Sequence, residues 1–417
     1  MGKATVIVLG GGFAGLSAAG RLARRGGRRV RVVLVDRKPF SEFNPLWPDL
    51  ISARIQPASV RYDLASFCGR YGIEFVQSDV LAIDPSAAKV QTQAGELAGE
   101  FVICCLGAMP NYFGRDDYRQ RTLSLTGVEA TLQVRQRACE LLAGTTAGAK
   151  AGAAGGRCNL LVVGGGYTGL ETASHLTALM ARIAGPSWPD RARVIVLEKL
   201  PRVLSTLPPE VGQWAQKYVE GLGVEVRTEL TVEAFEPGDD RGRGSAVRLS
   251  DQSVLDRAMV VWSAGVLPSA PADALDVPRK AGRRLAVDAT LRAQGCERLF
   301  VAGDAAGPMP PGHQLPLRQG VQFSLAGGRC AADNVLASLT NRIQREFDPA
   351  DPGYVVPLAA RAGVGHVLGL GVRGRLPAML HYMMSAFRSW GWRNRGRLMR
   401  DLLLSTPPLG DEPAQDG

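Results

Sequence analysis

With 417 residues, 46% of them hydrophobic and 21% charged, the chain has the length for two or three folded domains and is no low-complexity polymer. Its formal charge of +10 suits an anionic partner, but no RNA- or DNA-binding motif accompanies it, so nucleic acid is not expected. The seven cysteines (Cys68, Cys104, Cys105, Cys139, Cys158, Cys296, Cys330) make no CxxC or CxxxxC pair, which speaks against a metal site or redox dithiol and fits a reducing compartment.

Residues 4–9 (ATVIVL) predict a buried strand, followed by a glycine turn, a helix over about 13–26 and a second strand at 30–35 ending at Asp36. The apolar run after Lys3 imitates a signal peptide, but the glycine spacing accounts for the same residues as a nucleotide-fold strand. Gly10, Gly12 and Gly15 form GxGxxG between that strand and helix. The first glycine allows the tight turn, the second admits a pyrophosphate, and the third lets helix pack on strand. The pyrophosphate would sit at the helix N-terminus, with Asp36 where a ribose-binding acid is expected. An N-terminal position favours FAD.

Another strand is expected at 101–106 (FVICCL), ending in Gly107, and a helix over about 128–142. The run AGTTAGAKAGAAGGR then reads as a linker. After it the opening pattern repeats, with a strand at 159–163, Gly164, Gly166 and Gly169 in a second GxGxxG, a helix to 184, and a strand at 194–197 ending at Glu198. The spacing to Glu198 is long because GPSWPDRAR is inserted. An acid there accepts from both ribose hydroxyls and repels a 2′-phosphate, favouring NADH over NADPH. Arg202 leaves a phosphate contact open, against the plainer reading of a surface or helix-start arginine. Further strand-to-loop passages fall at 260–265 (VVWSAG) and 299–303 (LFVAG). Two nucleotide sites on one chain imply electron transfer between them.

These residues resemble a known family. LFVAGDAAG, with Gly303 and Asp304, resembles the late GD motif of flavoproteins with the glutathione-reductase-like fold, whose aspartate binds the ribityl chain. FNPLWPDL (43–50), LGAMPNYFG (106–114), NLLVVGGGYTGLETASHL and WSAGV (262–266) are similar to segments of type II NADH dehydrogenases, the single-subunit NADH:quinone oxidoreductases. PNYFG, TGLE and the C-terminal region are the discriminating pieces. The resemblance implies an α/β fold of two Rossmann-like dinucleotide-binding domains (the glutathione-reductase-like FAD/NAD(P) fold) with a C-terminal amphipathic helical membrane-anchoring region. In residue numbers it implies an FAD domain at 1–120 and 283–350, an NADH domain at 121–282 inserted in it, a membrane-associating region at 351–404, and a disordered tail from 405. FAD would be held by Gly10, Gly12, Phe13, Ala14, Gly15, Asp36, Arg37, Asn44, Pro45, Val80, Gly107, Ala108, Gly303, Asp304 and Gln319. NADH would be held by Gly164, Gly166, Tyr167, Thr168, Gly169, Glu198 and Gly265. Glu171 and Gln319 are the implied catalytic residues, Glu171 serving either the redox step and its proton or the packing of its helix. One departure stands out: Arg318 replaces the small residue before Gln319, so the acceptor site could differ, or the arginine could be a loop charge.

No stretch of about 18 uncharged apolar residues occurs, so no transmembrane helix is expected and no proton pumping with it. From 361 to 400 the charges are Arg361, Arg373, Arg375, Arg388, Arg393, Arg395, Arg397 and Arg400, with no acid until Asp401. Leu376, Leu380, Met383, Met384 and Phe387 recur at helical spacing. Such an Arg/Trp-rich helix either docks on the body or lies on anionic lipid, and the resemblance favours lipid, at the cytoplasmic face of the cell membrane. A homodimer is compatible with the sequence. The expected activity is hydride transfer from NADH to FAD and then reduction of a membrane quinone. The alternatives are a sulfide:quinone oxidoreductase, which needs a cysteine pair and no NADH, a soluble NADH-dependent reductase of a small carrier protein, and a redox-sensing flavoprotein with little turnover.

Overall fold

The structure, a computed structural model, describes residues 2–145, 156–236, 245–310, 313–359 and 362–404. The expected linker at 146–155, the expected disordered tail and Arg361 lie outside the described residues. The chain divides into two compact units. One comprises Met1–Glu42, Tyr62–Met109 and Val266–Asp351; the other comprises Phe43–Arg61, Pro110–Gly265 and Pro352–Gly417.

In the first unit, five parallel strands lie in the order Leu299–Val301, Phe101–Cys104, Ala4–Leu9, Val30–Asp36, Glu74–Gln77. The central strand is a continuous run of β-branched and aliphatic residues because both of its faces are covered, and Val6 to Leu9 have no exposed surface. Helix Phe13–Gly26 covers one face and packs against helix Val321–Leu339. Gly328 permits that approach, since a Cβ there would stand 2.1 Å from the Ala14 carbonyl oxygen. A three-stranded antiparallel sheet, Val80–Asp84, Lys89–Thr92 and Gly95–Ala98, belongs to the same unit.

The second unit repeats the plan with a mixed sheet, ordered Val224–Arg227, Ala192–Leu197, Cys158–Val163, Val254–Trp262, Ser245–Leu249, Val232–Phe235. The first four strands pair in parallel, and Ser245–Leu249 pairs antiparallel with both of its neighbours. The strand-to-loop passage expected at 260–265 is the end of a longer strand, Val254–Trp262, after which the backbone leaves the sheet toward Gly265. Helices Val128–Ala143 and Tyr167–Ala184 cover one face through Val134, Leu141, Leu170, Leu176 and Met180. The segment expected as a helical membrane region instead starts as a three-stranded antiparallel sheet, Gly353–Leu358, Ala362–Val367 and Leu370–Gly374. Helices Arg375–Arg388 and Trp392–Leu404 follow it. Among the described residues no helix is long and apolar enough to cross a membrane.

Candidate functional site

Both glycine fingerprints form the same cradle. In the first unit the Gly10 N–H donates to the Val35 carbonyl at 2.8 Å, closing the turn over the sheet edge. A Cβ on Gly15 would stand 1.7 Å from the Gly10 carbonyl oxygen, whereas one on Gly12 would meet nothing within 4 Å. The third glycine is therefore required by packing, and the second leaves open space in front of the helix. No side chain caps that helix and no acid lies in its first turn, so the free N–H groups and dipole face this space. Asp36 accepts from the Gly11 N–H at 2.6 Å and the Lys38 N–H at 2.8 Å, which fixes its carboxylate beside the turn. Burial raises its pKa above the ordinary value, against the opposing pull of those two bonds.

The second unit reproduces these contacts. The Gly164 N–H donates to Leu197 at 2.8 Å, a Cβ on Gly169 would stand 1.8 Å from the Gly164 carbonyl oxygen, and Gly166 faces open space. Glu198 accepts from the Gly165 N–H at 2.6 Å and the Leu200 N–H at 2.9 Å. Tyr167 and Thr168 open the helix, the first half-buried and the second exposed. Arg202 donates to the carbonyls of Leu204 (3.3 Å) and Ser205 (2.7 Å), which engages its guanidinium with its own loop. We expect Glu198→Gln to narrow the preference for NADH over NADPH by about tenfold, read from the ratio of kcat/KM values. An unchanged ratio would remove Glu198 from the ribose site.

The remaining expected flavin residues divide between the units. Gly107, with φ 67°, accepts from the Ser269 N–H, Ala108 opens a short strand, and Val80 begins the antiparallel sheet, all in the first unit. Asn44 and Pro45 form a 3-10 turn in the second. Gly303 and Asp304 follow the strand Leu299–Val301, and a Cβ on Gly303 would lie 3.1 Å from the Ala14 Cβ. Asp304 is pushed above the usual carboxylate range by burial, opposed by Arg284 and by Ser324, whose hydroxyl is at 3.5 Å. Gln319 is exposed and donates its amide to the Asp304 carbonyl at 3.0 Å. Arg318 is paired with Asp351, at 2.6 Å for one contact, and lies 5.1 Å from the Phe323 ring centroid. Arg284 donates to the Leu317 carbonyl at 2.6 Å and so anchors the loop carrying Arg318 and Gln319.

The PNYFG motif and the WSAG of the second motif (262–265) meet in the second unit. Trp262 Nε1 donates to the Asn111 carbonyl at 2.7 Å, and the Asn111 N–H donates to Gly265 at 3.0 Å. The Trp262 ring lies 4.8 Å from that of Tyr118 and 5.9 Å from that of Tyr112. This explains why both motifs carry aromatics: the rings brace the loop that ends the strand.

Glu171 opens the second turn of helix Tyr167–Ala184 and is half-buried. Burial, then the Asp49 charge, raise its pKa well above the ordinary carboxylate value. Sequence reasoning missed its neighbours. Asp49 and His175 are each 2% exposed, with Tyr382 6% exposed beside them. The available signal was Asp49 inside FNPLWPDL and His175 one helical turn after Glu171.

The C-terminal helix Arg375–Arg388 buries Pro377, Ala378, Tyr382, Ser385 and Ala386. Its outer side carries Met379 (61% exposed), Met383 (55%) and Phe387 (68%). The larger apolar side chains thus point away from the body, opposite to an ordinary docked helix.

The family model described as pyridine nucleotide-disulphide oxidoreductase matches residues 4–323. A curated protein of Staphylococcus aureus named type II NADH:quinone oxidoreductase is 25% identical over 380 residues, covering 90% of this chain and 92% of its own. The protein of that name in Staphylococcus saprophyticus is 26% identical over 381 residues, with the same coverages. These relatives bear out the resemblance read from PNYFG and TGLE. Among solved structures, NDH2 from Plasmodium falciparum in complex with NADH superimposes with a TM-score of 0.81 at 14% identity, covering 96% of this chain and 98% of that one. The sulfide:quinone oxidoreductase of Aquifex aeolicus gives 0.75 at 14% identity, covering 94% and 92%. The fold alone is therefore shared with enzymes of different donors, and the residues must choose between them. Its two glycine cradles and the match over residues 4–323 place this chain in the pyridine nucleotide-disulphide oxidoreductase family.

Proposed function

We propose that the protein is an FAD-dependent NADH:quinone oxidoreductase held at the cytoplasmic face of a membrane by its C-terminal helices. The observation that carries this reading is the second cradle, intact and closed by Glu198, in a chain whose curated relatives bear that activity in their name. The first cradle, Asp36, Gly303 and Asp304 would hold FAD, and its open space before Gly12 fits a pyrophosphate. Bound FAD supplies a carrier that takes a hydride equivalent from NADH and returns two electrons to a quinone. The second cradle binds and orients the nicotinamide nucleotide. Glu171, in its acid form, holds a proton for the quinone oxygen that becomes a hydroxyl, and Gln319 presents a neutral amide on an exposed loop. A carboxyl whose pKa burial and the Asp49 charge raise is suited to this, because it keeps its proton to higher pH than an ordinary carboxyl and can release it on demand.

Sulfide as donor is disfavoured by the cysteines. Cys104 and Cys105 are buried where the strand Phe101–Cys104 ends, and burial pushes the Cys104 thiol up to about 11 and Cys105 well above its ordinary value. The outer apolar face of Arg375–Arg388 and the arginines after it suit an anionic lipid surface, without a membrane-spanning segment. The test is anaerobic titration of the flavin with NADH, NADPH and sulfide, followed by reoxidation with quinones. Bleaching by NADH and recovery with a quinone are expected, and bleaching by sulfide alone would overturn the reading. Glu171→Gln should lower kcat for quinone by about a hundredfold or more with the Kd for NADH unchanged. A kcat within a few-fold of the parent would make Glu171 a packing residue.

A further inference from the structure

Asp49 sits in the helix Trp47–Ile51, inside the second unit, and its carboxylate is held from three directions. Tyr382 Oη donates to it at 3.0 Å, Arg54 approaches at 3.3 Å, and His175 Nε2 lies 3.7 Å away. The Arg54 guanidinium also covers the Tyr382 ring at 4.0 Å. His175 is fixed from its other side by Ser52 Oγ, 2.9 Å from Nδ1. His175 lies four residues after Glu171, one turn along the same helix face, so the network reaches the face of the helix that carries Glu171. We propose that Asp49 is a positioning residue for Glu171, its carboxylate setting how readily Glu171 gives up its proton. This rests on the role assigned to Glu171 above.

The charges decide the sign. Asp49 and Arg54 balance one another, so an ionised Glu171 would place a second, uncompensated anion in a buried site. His175 does not supply the missing charge, because burial lowers its pKa below the ordinary value. His381, on helix Arg375–Arg388, is likewise kept neutral by burial, its pKa pushed down to about 4. Burial and then Asp49 hold the Tyr382 phenol well above its ordinary value, so it remains a donor. Two further arginines donate to the backbone beside Asp49: Arg135 to the Leu50 carbonyl at 3.5 Å and Arg182 to that of Ser52 at 3.2 Å. Arg388, at the far end of its helix, has its pKa lowered by burial. Asp49 is thus the anion that opposes ionisation of Glu171, and Arg54 is the cation that tempers it.

The test is a pair of substitutions with opposite signs in the purified holoprotein. Asp49→Asn should move the basic limb of the pH profile of quinone reduction down by about one to two pH units. Arg54→Gln, which leaves Asp49 uncompensated, should move it up. The same shifts are read independently of turnover by infrared titration of the protonated Glu171 carboxyl, its band assigned by its loss in Glu171→Gln. Opposite shifts support the proposal, and if only one variant folds, a shift of its band in the stated direction supports it while none or the reverse overturns it. A band that does not move, or moves the same way in both variants, overturns it, since a merely structural role would give no sign reversal. If the parent protein reduces no quinone, the functional reading fails while the band titration still decides the role of Asp49.

Discussion

Alanine at position 169 should lower reduction of the flavin by NADH by at least about a hundredfold while the purified protein keeps its yellow flavin spectrum. Alanine at position 15 should do the reverse and yield protein with little or no flavin. The reason is steric. The added methyl would stand 1.8 Å from the Gly164 carbonyl oxygen in one cradle and 1.7 Å from that of Gly10 in the other. Backbone, not a flexible side chain, occupies that space, so the helix must slide off its strand and carry its N-terminal N–H groups away from the anion. A shift of this kind costs at least about 3 kcal/mol of nucleotide affinity, which is the hundredfold. Flavin content by absorbance and NADH reduction by stopped-flow distinguish the two sites. Loss of flavin in the 169 variant, or normal NADH reduction in it, would mean that the nucleotides have been assigned to the wrong cradles.

The cradles were legible because strand, glycine spacing and terminal acid sit within one short stretch of chain, and local sequence dictates local geometry there. Strand Ala4–Leu9, helix Phe13–Gly26 and strand Val30–Asp36 fall where the hydrophobic run and spacing put them. The joining of Asn111 to Gly265 and of Tyr118 to Trp262 was less accessible, because residues more than a hundred positions apart are matched only by the fold. The sheet from Gly353 to Gly374 escaped notice for a different reason. Its strands are short and rich in glycine, as at Gly363 and Gly365, where a Cβ would come within 2.9 and 2.0 Å of a carbonyl oxygen, so no alternation of apolar residues marks them. The Asp49 network was hidden because its members come from three separated helices, and a lone buried acid in FNPLWPDL carries no sign of its partners. Arg318 illustrates the converse. It stands out in the sequence as a change beside Gln319, and the structure gives it a partner on its own unit, Asp351.

Glutamate at positions 379, 383 and 387 together should release the protein from vesicles of mixed anionic lipid, weakening partition by about a thousandfold. Met379, Met383 and Phe387 are each more than half exposed on one side of helix Arg375–Arg388, while Tyr382 and Ala378 hold its other side to the body. Inserting three such side chains contributes on the order of 1.5 kcal/mol each, so their loss alone accounts for that factor, before the repulsion of the new charges. Reduction by NADH should be unchanged, because none of the three residues takes part in either cradle. The arginines act separately. Arg393 and Arg397 are exposed on helix Trp392–Leu404, and replacing both by glutamine should weaken binding about tenfold to thirtyfold on anionic vesicles and little on neutral ones. Co-sedimentation at two salt concentrations separates the contributions, since the arginine effect is screened and the apolar one is not. Full sedimentation of the triple glutamate variant would show that this face is not the membrane contact, and the exposed side chains would then require another partner. Release by the triple variant with quinone turnover retained in detergent would mean that the helix delivers the enzyme to its acceptor without forming the acceptor site itself.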